Sequence, residues 1–260
     1  MSNDSTGKTL TVASSLCIAC SILVSAAAVI LRPVQVQNKR LDVKKNLLLS
    51  AGLLTSSKVT PKEINEAFSK VEMKLINLDT GEEVTDVDKN SFDLEKADKD
   101  PSLSINIDSQ EDIARIKTRS KIRPVYLVKN GSAIDQIIIP FHGKGLWSTM
   151  YGFLSLAPDT RTVKGIGFYQ HGETPGLGGE IENKKWQASW VGKKVLSENY
   201  APSIDVIKGT VDTSLKGANS MIDGLSGATL TSNGVEASVN YWVSNNGYGK
   251  FLAKFRGEGV

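Results

Sequence analysis

Cysteine is scarce in this sequence of 260 residues: the two that occur, Cys17 and Cys20, both lie in an apolar N-terminal segment. The rest of the chain therefore has neither a disulfide framework nor a cysteine-based zinc site. A domain without cysteine is compatible with either side of a bacterial membrane. Net charge is also low, at +3, and no dense stripe of Lys and Arg is interleaved with aromatic residues. We therefore expect no nucleic-acid partner.

The two cysteines stand three positions apart, so that Cys17 and Cys20 would share one face of a helix. They are candidates for metal or cluster ligands at a subunit interface, or for small side chains that pack against a partner helix. Two thiolates alone do not complete a tetrahedral site, so packing is the favoured interpretation and no metal site is predicted.

Charged residues are missing from one long stretch. Residues 10–31 form an uncharged, mostly apolar run of about 22 residues, which is long enough to cross a bilayer as a helix. We predict an N-terminal tail over 1–9 and a transmembrane helix over 10–32 that ends at Arg32 and Pro33. A cleaved signal peptide is the alternative, because the run contains a small-residue Ser-Ala-Ala-Ala sequence.

The positive charges around this run give an orientation of their own. Only Lys8 precedes it. Five basic residues follow it closely: Arg32, Lys39, Arg40, Lys44 and Lys45. Counted alone, these charges place the large domain in the cytoplasm.

Residues 33–121 are predicted to form a juxtamembrane helix over 34–58 and the N-terminal part of the soluble region. The sequence Thr-Pro-Lys-Glu at 60–63 is typical of a helix start with a capping box. A strand is predicted over 73–78. The acidic residues 79–113 contain few apolar side chains, so we expect a solvated surface excursion.

Residues 122–260 carry the clearest strand patterns, and we predict one domain there. Strands are expected over 125–129, 133–141, 150–157, 163–170 and 204–208. Asn130-Gly131 is typical of a hairpin turn, and helices are expected over 182–190 and 231–244. The predicted fold class is α+β, with one N-terminal transmembrane helix and a soluble domain whose twisted antiparallel sheet is flanked by helices.

Three glycine-rich segments interrupt this pattern. They run over 142–147 (HGKGLW), 172–179 (GETPGLGG) and 223–231 (DGLSGATLT). Glycine lets a backbone approach a ligand closely or adopt positive φ. None of the three matches a P-loop or a dinucleotide-binding fingerprint.

The third segment is the most informative. Gly227 and Ala228 leave a groove beside the Thr229 hydroxyl, just before a predicted helix whose first N–H groups suit a phosphate. A threonine there can also accept a phosphoryl-linked group. The alternative is a plain helix start, with Thr231 or Ser232 as the N-cap after a tight glycine turn.

The sequence DGLSGAT at 223–229, in which SGAT at 226–229 is preceded by an aspartate, resembles the flavinylation motif of the bacterial FMN-binding domain family. In that family a flavin transferase moves FMN from FAD onto the threonine of the motif as a phosphoester, and that residue here is Thr229. HGKGLW, GETPGLGG and the N-terminal anchor also resemble the flavin-carrying subunits of the six-subunit sodium-translocating NADH:quinone oxidoreductases. The resemblance covers nearly the whole chain and is strongest over 122–255.

The resemblance implies that the three segments surround one flavin. The residues expected at the cofactor are Thr229, Ser226, Gly227, Ala228, Asp223, Glu173, Thr174, Gly176, Leu177, Gly178, His142, Gly145, Leu146 and Trp147.

Several of these residues have a second interpretation. Trp147 and Leu177 would cover the flavin ring or belong to ordinary packing, whereas Glu173 and Thr174 would hydrogen-bond its polar edge. Asp223 would bind the metal used in flavin transfer or serve the turn. Ser226 is expected to orient the phosphoester, with Lys208 or Lys216 neutralising its charge. The two histidines, His142 and His171, would lie near the ring or on surface loops.

The implied role is one-electron carriage within a membrane complex that oxidises NADH, reduces ubiquinone and pumps sodium ions. The implied partners are the other subunits of that complex, the flavin transferase during maturation, and the membrane. The family places its flavin domain on the periplasmic side of the bacterial inner membrane, and we follow the family against the charge count. The alternatives are the equivalent flavin subunit of the ferredoxin:NAD oxidoreductase complex and an anchored assembly module without redox chemistry.

Overall fold

The computed structural model describes residues 5–56, 58–89 and 91–257, and its first element is a single helix of 45 residues, α1 (Thr6–Ser50). The prediction that the helix ends at Arg32 and Pro33 is wrong, because α1 continues through Pro33. Proline keeps a helical φ and removes one N–H donor, a loss that apolar membrane-type helices tolerate. The helix also begins inside the predicted tail, of which residues 1–4 lie outside the described part.

The chain divides into two compact units, Met1–Val43 and Lys44–Val260. In the first unit, the described residues form a helix that is apolar and long enough to cross a membrane. The predicted boundaries of the membrane span at 10–32 and of the domain at 122 stay predictions.

The second unit is built on a six-stranded antiparallel sheet in the order β2-β1-β5-β6-β7-β8. The strands along the chain are β1 (Val71–Asn77), β2 (Glu82–Glu83), β3 (Ser104–Asn106), β4 (Thr118–Ser120), β5 (Ile122–Asn130), β6 (Ala133–Lys144), β7 (Thr149–Leu156), β8 (Val163–Gln170), β9 (Asp205–Ile207) and β10 (Met221–Asp223). The predicted hairpin is confirmed: Asn130 pairs with Ala133, and Gly131 between them has a φ of +64°.

The described residues of this unit form five further helices. They are α2 (Pro61–Phe68), α3 (Leu94–Lys99), α4 (Lys184–Ala188), α5 (Thr229–Val243) and α6 (Gly249–Phe255), with 3-10 turns at Gly178–Glu182 and Ala218–Ser220. The predicted capping box of α2 is present, since Thr60 and Glu63 bond each other's backbone N–H groups. The predicted α+β class is thus confirmed.

Within the second unit, the sheet contacts α5 on one face and the residues at the end of α1 on the other. Ile137 and Ile139 of β6 belong to the same core cluster as Val235 and Val239 of α5. Neighbouring strand residues point to opposite faces, and Gln136 donates from the other face to the carbonyl of Ala51, just after α1. The core therefore fixes α5 against β6.

The acidic excursion departs from its prediction as a purely solvated surface. It contains β2, α3 and β3, and Asp98 of α3 forms an ion pair with the buried guanidinium of Arg123 at 2.8 Å. A carboxylate that the sequence pattern assigns to solvent thus neutralises a charge in the core.

Candidate functional site

The N-terminal end of α5 opens on a cavity of about 450 Å³. Its lining comes from β9, the end of β10, the SGAT turn and the first turns of α5: Val206, Ile207, Lys208, Gly209, Thr210, Asp223, Gly224, Leu225, Ser226, Gly227, Thr229, Ser232 and Asn233. β9 and β10 pair in parallel, and the last residue of each strand lines the cavity.

Thr229 is the first residue of α5, and its side chain is exposed. The N-cap is Ala228, so the expectation that Thr231 or Ser232 caps the helix is wrong. In the part of the chain that the structure describes, the Thr229 hydroxyl makes no hydrogen bond. The hydroxyl is therefore available for chemistry at the mouth of the cavity.

An alanine N-cap has an electrostatic consequence. The first N–H groups of a helix have no intrahelical acceptor, and serine, threonine, asparagine or aspartate at the N-cap usually supplies one. Ala228 has no side-chain oxygen, so the first turn of α5 keeps donors and a partial positive charge beside Thr229. Lys208 lines the same cavity and adds a full positive charge, whereas Lys216 is not among the lining residues.

Hydrogen bonds within the protein hold the turn before α5. Gly227 has a φ of +71°, which favours glycine, and Ala228 N–H donates to the Leu225 carbonyl at 3.1 Å. The buried Ser232 hydroxyl accepts from Leu225 N–H at 3.0 Å. The SGAT turn is therefore rigid although its outer residues are exposed.

Glu173 joins the three glycine-rich segments. Its buried carboxylate accepts hydrogen bonds from the N–H groups of three consecutive residues, Leu146, Trp147 and Ser148, at 3.0 to 3.2 Å. It also accepts from the Thr231 hydroxyl at 2.6 Å. Burial opposes ionisation, but these hydrogen bonds outweigh it and lower the pKa of Glu173.

Four donors use the four lone-pair positions of a carboxylate. Glu173 therefore has no free position for the polar edge of a flavin. Its predicted contact with the ring stays a prediction, and the geometry favours a role within the protein instead.

Two of the glycines expected at the cofactor make room for the Glu173 carboxylate. A Cβ atom at Gly145 would lie 2.6 Å from a Glu173 carboxylate oxygen. A Cβ atom at Gly178 would lie 2.9 Å from the other carboxylate oxygen and would overlap the Thr231 hydroxyl. These glycines let the segments meet at Glu173, which is a different role from contact with a ligand.

Large apolar side chains remain exposed on the three glycine-rich segments. Leu146 is 43% exposed, Trp147 67%, Leu177 45% and Leu230 60%, although each belongs to a segment tied to Glu173 or Thr229. Leu177 Cδ2 lies 3.1 Å from where a Gly227 Cβ would be, so Leu177 reaches the SGAT turn. Exposed apolar side chains on a rigid frame are typical of a ligand or partner site.

The turn that carries Leu177 is also well defined. The Thr174 carbonyl accepts from the N–H groups of Leu177 and Gly179, and Gly176 has a φ of +75°. The Thr174 side chain is exposed on the same turn. A second cavity, of about 320 Å³, adjoins it and is lined in part by His171.

The two histidines lie in different places. His171 accepts from Glu173 N–H through Nδ1 and contacts Glu182 at 3.0 Å, next to the second cavity. His142 is buried, stacks on Tyr151 and lies 3.4 Å from the Arg123 guanidinium. The structure thus brings His171 close to the site and holds His142 in a separate cluster, so flavin contact by His142 is a prediction that its burial disfavours.

The remaining predicted residues lie at the turn itself. Ser226 is exposed beside Gly227. Asp223 accepts from Val211 N–H through its carboxylate at 2.8 Å, and its carbonyl accepts from the Trp186 indole at 2.8 Å. These contacts fit the interpretation of Asp223 as a turn residue, and its metal-binding role stays a prediction.

Comparison with known proteins connects this geometry to a family. The FMN-binding domain family matches residues 145–244, which contain the loop after β6, the Glu173 segment and the SGAT turn. The C subunit of the Na(+)-translocating NADH-quinone reductase of Vibrio vulnificus is 46% identical over 260 residues, a match that covers 100% of this chain and 99% of the relative. The protein of that name from Vibrio anguillarum is 46% identical over 259 residues, with coverage of 99% and 98%.

The chain belongs to the NqrC family, the C subunits of Na(+)-translocating NADH-quinone reductases. The crystal structure of Shewanella oneidensis NqrC agrees with this assignment, with a TM-score of 0.77 and 32% identity over 85% of this chain and 100% of that chain. The family resemblance inferred from the sequence is therefore confirmed.

Several features of this NqrC family member were not predicted from its sequence. The contact of Thr231 with Glu173, the place of Asn233 and β9 in the cavity wall, and the buried contacts of Arg123 were not predicted. A signal for Thr231 exists, because it is a hydroxyl two positions after Thr229 in a segment rich in small residues. The contribution of β9 depends on its parallel pairing with β10, which no residue pattern within β9 indicates.

Proposed function

We propose that this chain is the electron-carrying subunit, with FMN attached covalently to Thr229, of a membrane complex that oxidises NADH, reduces ubiquinone and pumps sodium ions. The family assignment supports the flavin and the complex. The observation that carries the attachment site is the Thr229 hydroxyl, which is unbonded within the described residues and starts a helix whose N-cap is alanine.

The residues fit a phosphoester at this position. The first-turn N–H groups of α5 and Lys208 would hold the phosphate, and Gly227 adds no side chain beside it. Ser226 would orient the phosphoester from the other side of Gly227. Ala228 keeps the helix end free of a competing acceptor.

The exposed apolar residues fit the flavin ring. Leu146, Trp147 and Leu177 would cover its faces, and Thr174 would donate or accept at its polar edge. FMN supplies one-electron chemistry when bound. The protein's part is to tether the cofactor at Thr229, to exclude water with these side chains and to set the polarity around the ring.

The membrane arrangement belongs to the same proposal. α1 would anchor the chain by a single pass in the bacterial inner membrane, with the flavin domain on the periplasmic side. The partners would be the other subunits of a six-subunit complex, and a flavin transferase would load FMN during maturation. A reporter enzyme fused after Val260 should be active in the periplasm. Activity only in the cytoplasm would contradict this orientation.

The direct test is the mass of the peptide that contains Thr229. Protein purified from membranes of cells with the flavin transferase should yield this peptide with the mass of an attached FMN phosphoryl group. An unmodified peptide from such cells would contradict the flavin proposal and favour an assembly module without redox chemistry. Co-purification distinguishes the two candidate complexes. Recovery of subunits of the ferredoxin:NAD oxidoreductase complex with this chain would contradict the assignment to the sodium pump.

A further inference from the structure

One hydrogen bond links the acceptor turn to the walls of the site. Thr231 is the third residue of α5, is 1% exposed, and donates to Glu173 at 2.6 Å. The same carboxylate receives three backbone N–H groups from the loop of Leu146 and Trp147. A single side chain thus fixes the start of α5 relative to the other two glycine-rich segments.

The hydroxyls around the turn differ in availability. Thr231 and Ser232 are buried, at 1% and 2% exposure, and each already has a hydrogen-bond partner. Ser226 and Thr229 are exposed, but only Thr229 lies within the first turn of α5. The hydrogen bond to Glu173 therefore removes the nearest competing threonine and leaves Thr229 as the hydroxyl at the helix start.

We propose that Glu173 and Thr231 form a positioning pair that presents the Thr229 hydroxyl for flavin transfer and holds the loop of Leu146 and Trp147 against the attached cofactor. This inference rests on the proposed function. Neither residue reacts: Glu173 sets the distance between segments, and Thr231 anchors the helix start two residues beyond the acceptor.

The transfer itself balances as a phosphoryl exchange. The Thr229 oxygen forms a bond to the FMN phosphorus of FAD, and the bond between that phosphorus and the bridging oxygen of the pyrophosphate breaks. AMP leaves, and the hydroxyl proton goes to a base of the transferase. No electrons are exchanged. Placement of the Thr229 oxygen against this phosphorus contributes to the transfer rate.

The test measures the rate of flavin transfer to the full-length membrane protein, purified without flavin and incubated with FAD, Mg²⁺ and the flavin transferase. The readout is the fraction of the Thr229 peptide that carries FMN over time. Thr231→Val keeps the shape but removes the donor, and we expect transfer to slow by about tenfold. Thr231→Ser restores the hydroxyl, and we expect the rate to return to within about twofold of wild type.

Glu173→Gln tests the other half of the pair. Its amide group would face backbone N–H donors with a donor of its own, so the loop and the helix start would separate. We expect transfer to slow by at least about tenfold. The visible absorption of the flavin that does attach should shift, because the loop of Leu146 and Trp147 would no longer be held in place. If Thr231→Val does not fold, Glu173→Gln and Thr231→Ser still decide the question.

Ser238→Ala is the matched control, because Ser238 is a fully buried hydroxyl of α5 that donates to the Gly234 carbonyl away from Glu173. It should lower stability without slowing transfer. Equal slowing by Ser238→Ala, or wild-type rates in both Thr231→Val and Glu173→Gln, would overturn the positioning pair. Failure of the wild-type protein to become modified at Thr229 would instead overturn the proposed function.

Discussion

The two ends of α5 are built in opposite ways. At its N-terminal end, Thr229 is exposed, the N-cap is Ala228, and the helix opens on a cavity. At its C-terminal end, about 20 Å further along the axis, Trp242 is fully buried and its indole donates to the His142 carbonyl at 2.6 Å. One end leaves donors available for a ligand, whereas the other uses its polar groups within the protein.

The C-terminal end encloses a charge. The Arg123 guanidinium lies 4.1 Å from the centre of the Trp242 ring, bonds both carboxylate oxygens of Asp98 at 2.8 and 3.1 Å, and contacts Tyr248 at 3.4 Å. Breaking such a buried pair is costly because the remaining charge has no solvent. We therefore expect this cluster to stabilise the domain. The N-terminal end of α5 would then be free to bind the cofactor.

The largest expected effect is at the open end. Thr229→Ala should abolish in-gel flavin fluorescence, because no other exposed hydroxyl lies within the first turn of α5. Compared as flavin-free proteins, wild type and variant should differ in Tm by less than about 2 °C, since the side chain is exposed. Fluorescence retained in the variant would place the attachment elsewhere.

The opposite result is expected at the closed end. Arg123→Met leaves Asp98 without its partner and should cost about 3 kcal/mol of unfolding free energy. Thermal unfolding of the purified flavin-free protein measures this loss. Flavin transfer to Thr229 at a temperature where the variant is folded should stay within about twofold of wild type, and a selective loss of transfer would show that the two ends are coupled.

Acid provides a graded test of the same cluster. Burial and the Arg123 charge lower the pKa of His142 to about 3, although Asp98 acts in the opposite direction. The native state therefore holds His142 neutral, whereas the unfolded chain binds a proton below about pH 6.5. Stability from this group is complete above that value and is lost as the pH falls toward 3.

Below about pH 6.5 the free energy of unfolding should thus fall by about 1.4 kcal/mol per pH unit from this group. Denaturant unfolding of wild type and His142→Gln at several pH values measures the slope. The slope should be smaller in the variant, and an equal slope would assign the acid sensitivity to other groups. Flavin already attached to Thr229 should stay attached throughout.

Parts of the fold that depend on neighbouring residues could be predicted from the sequence. The hairpin at Asn130-Gly131 and the capping box at Thr60 follow local rules, and both are confirmed. Pro33 was misjudged because a helix stop is a preference that other interactions can override.

At the site, the glycine turn depends on neighbouring residues, whereas the contacts between the three glycine-rich segments do not. The glycine turn at Gly227 and a helix soon after it were predictable from residue type, whereas the first residue of that helix was placed two positions too late. The meeting of Leu146, Glu173 and Thr231 at one carboxylate joins segments far apart in the chain, so spacing could not predict it. The same holds for Asp98 and Arg123, whose pairing requires the acidic excursion to fold onto the sheet.

The smallest expected effect sharpens the description of the open end. Gly227→Ala places a side chain at a φ of +71° and 3.1 Å from Leu177 Cδ2, so it should cost about 1 kcal/mol and partly lower the fraction of flavinylated protein. Gly192→Ala is the matched control, because Gly192 has a φ of +84° with no atom within 4 Å of a Cβ. Similar Tm losses with a flavin defect only at Gly227 would assign that defect to the contact with Leu177. Equal flavin defects in the two variants would attribute it to general destabilisation, and the N-terminal end of α5 would then be less independent of the rest of the domain than its geometry indicates.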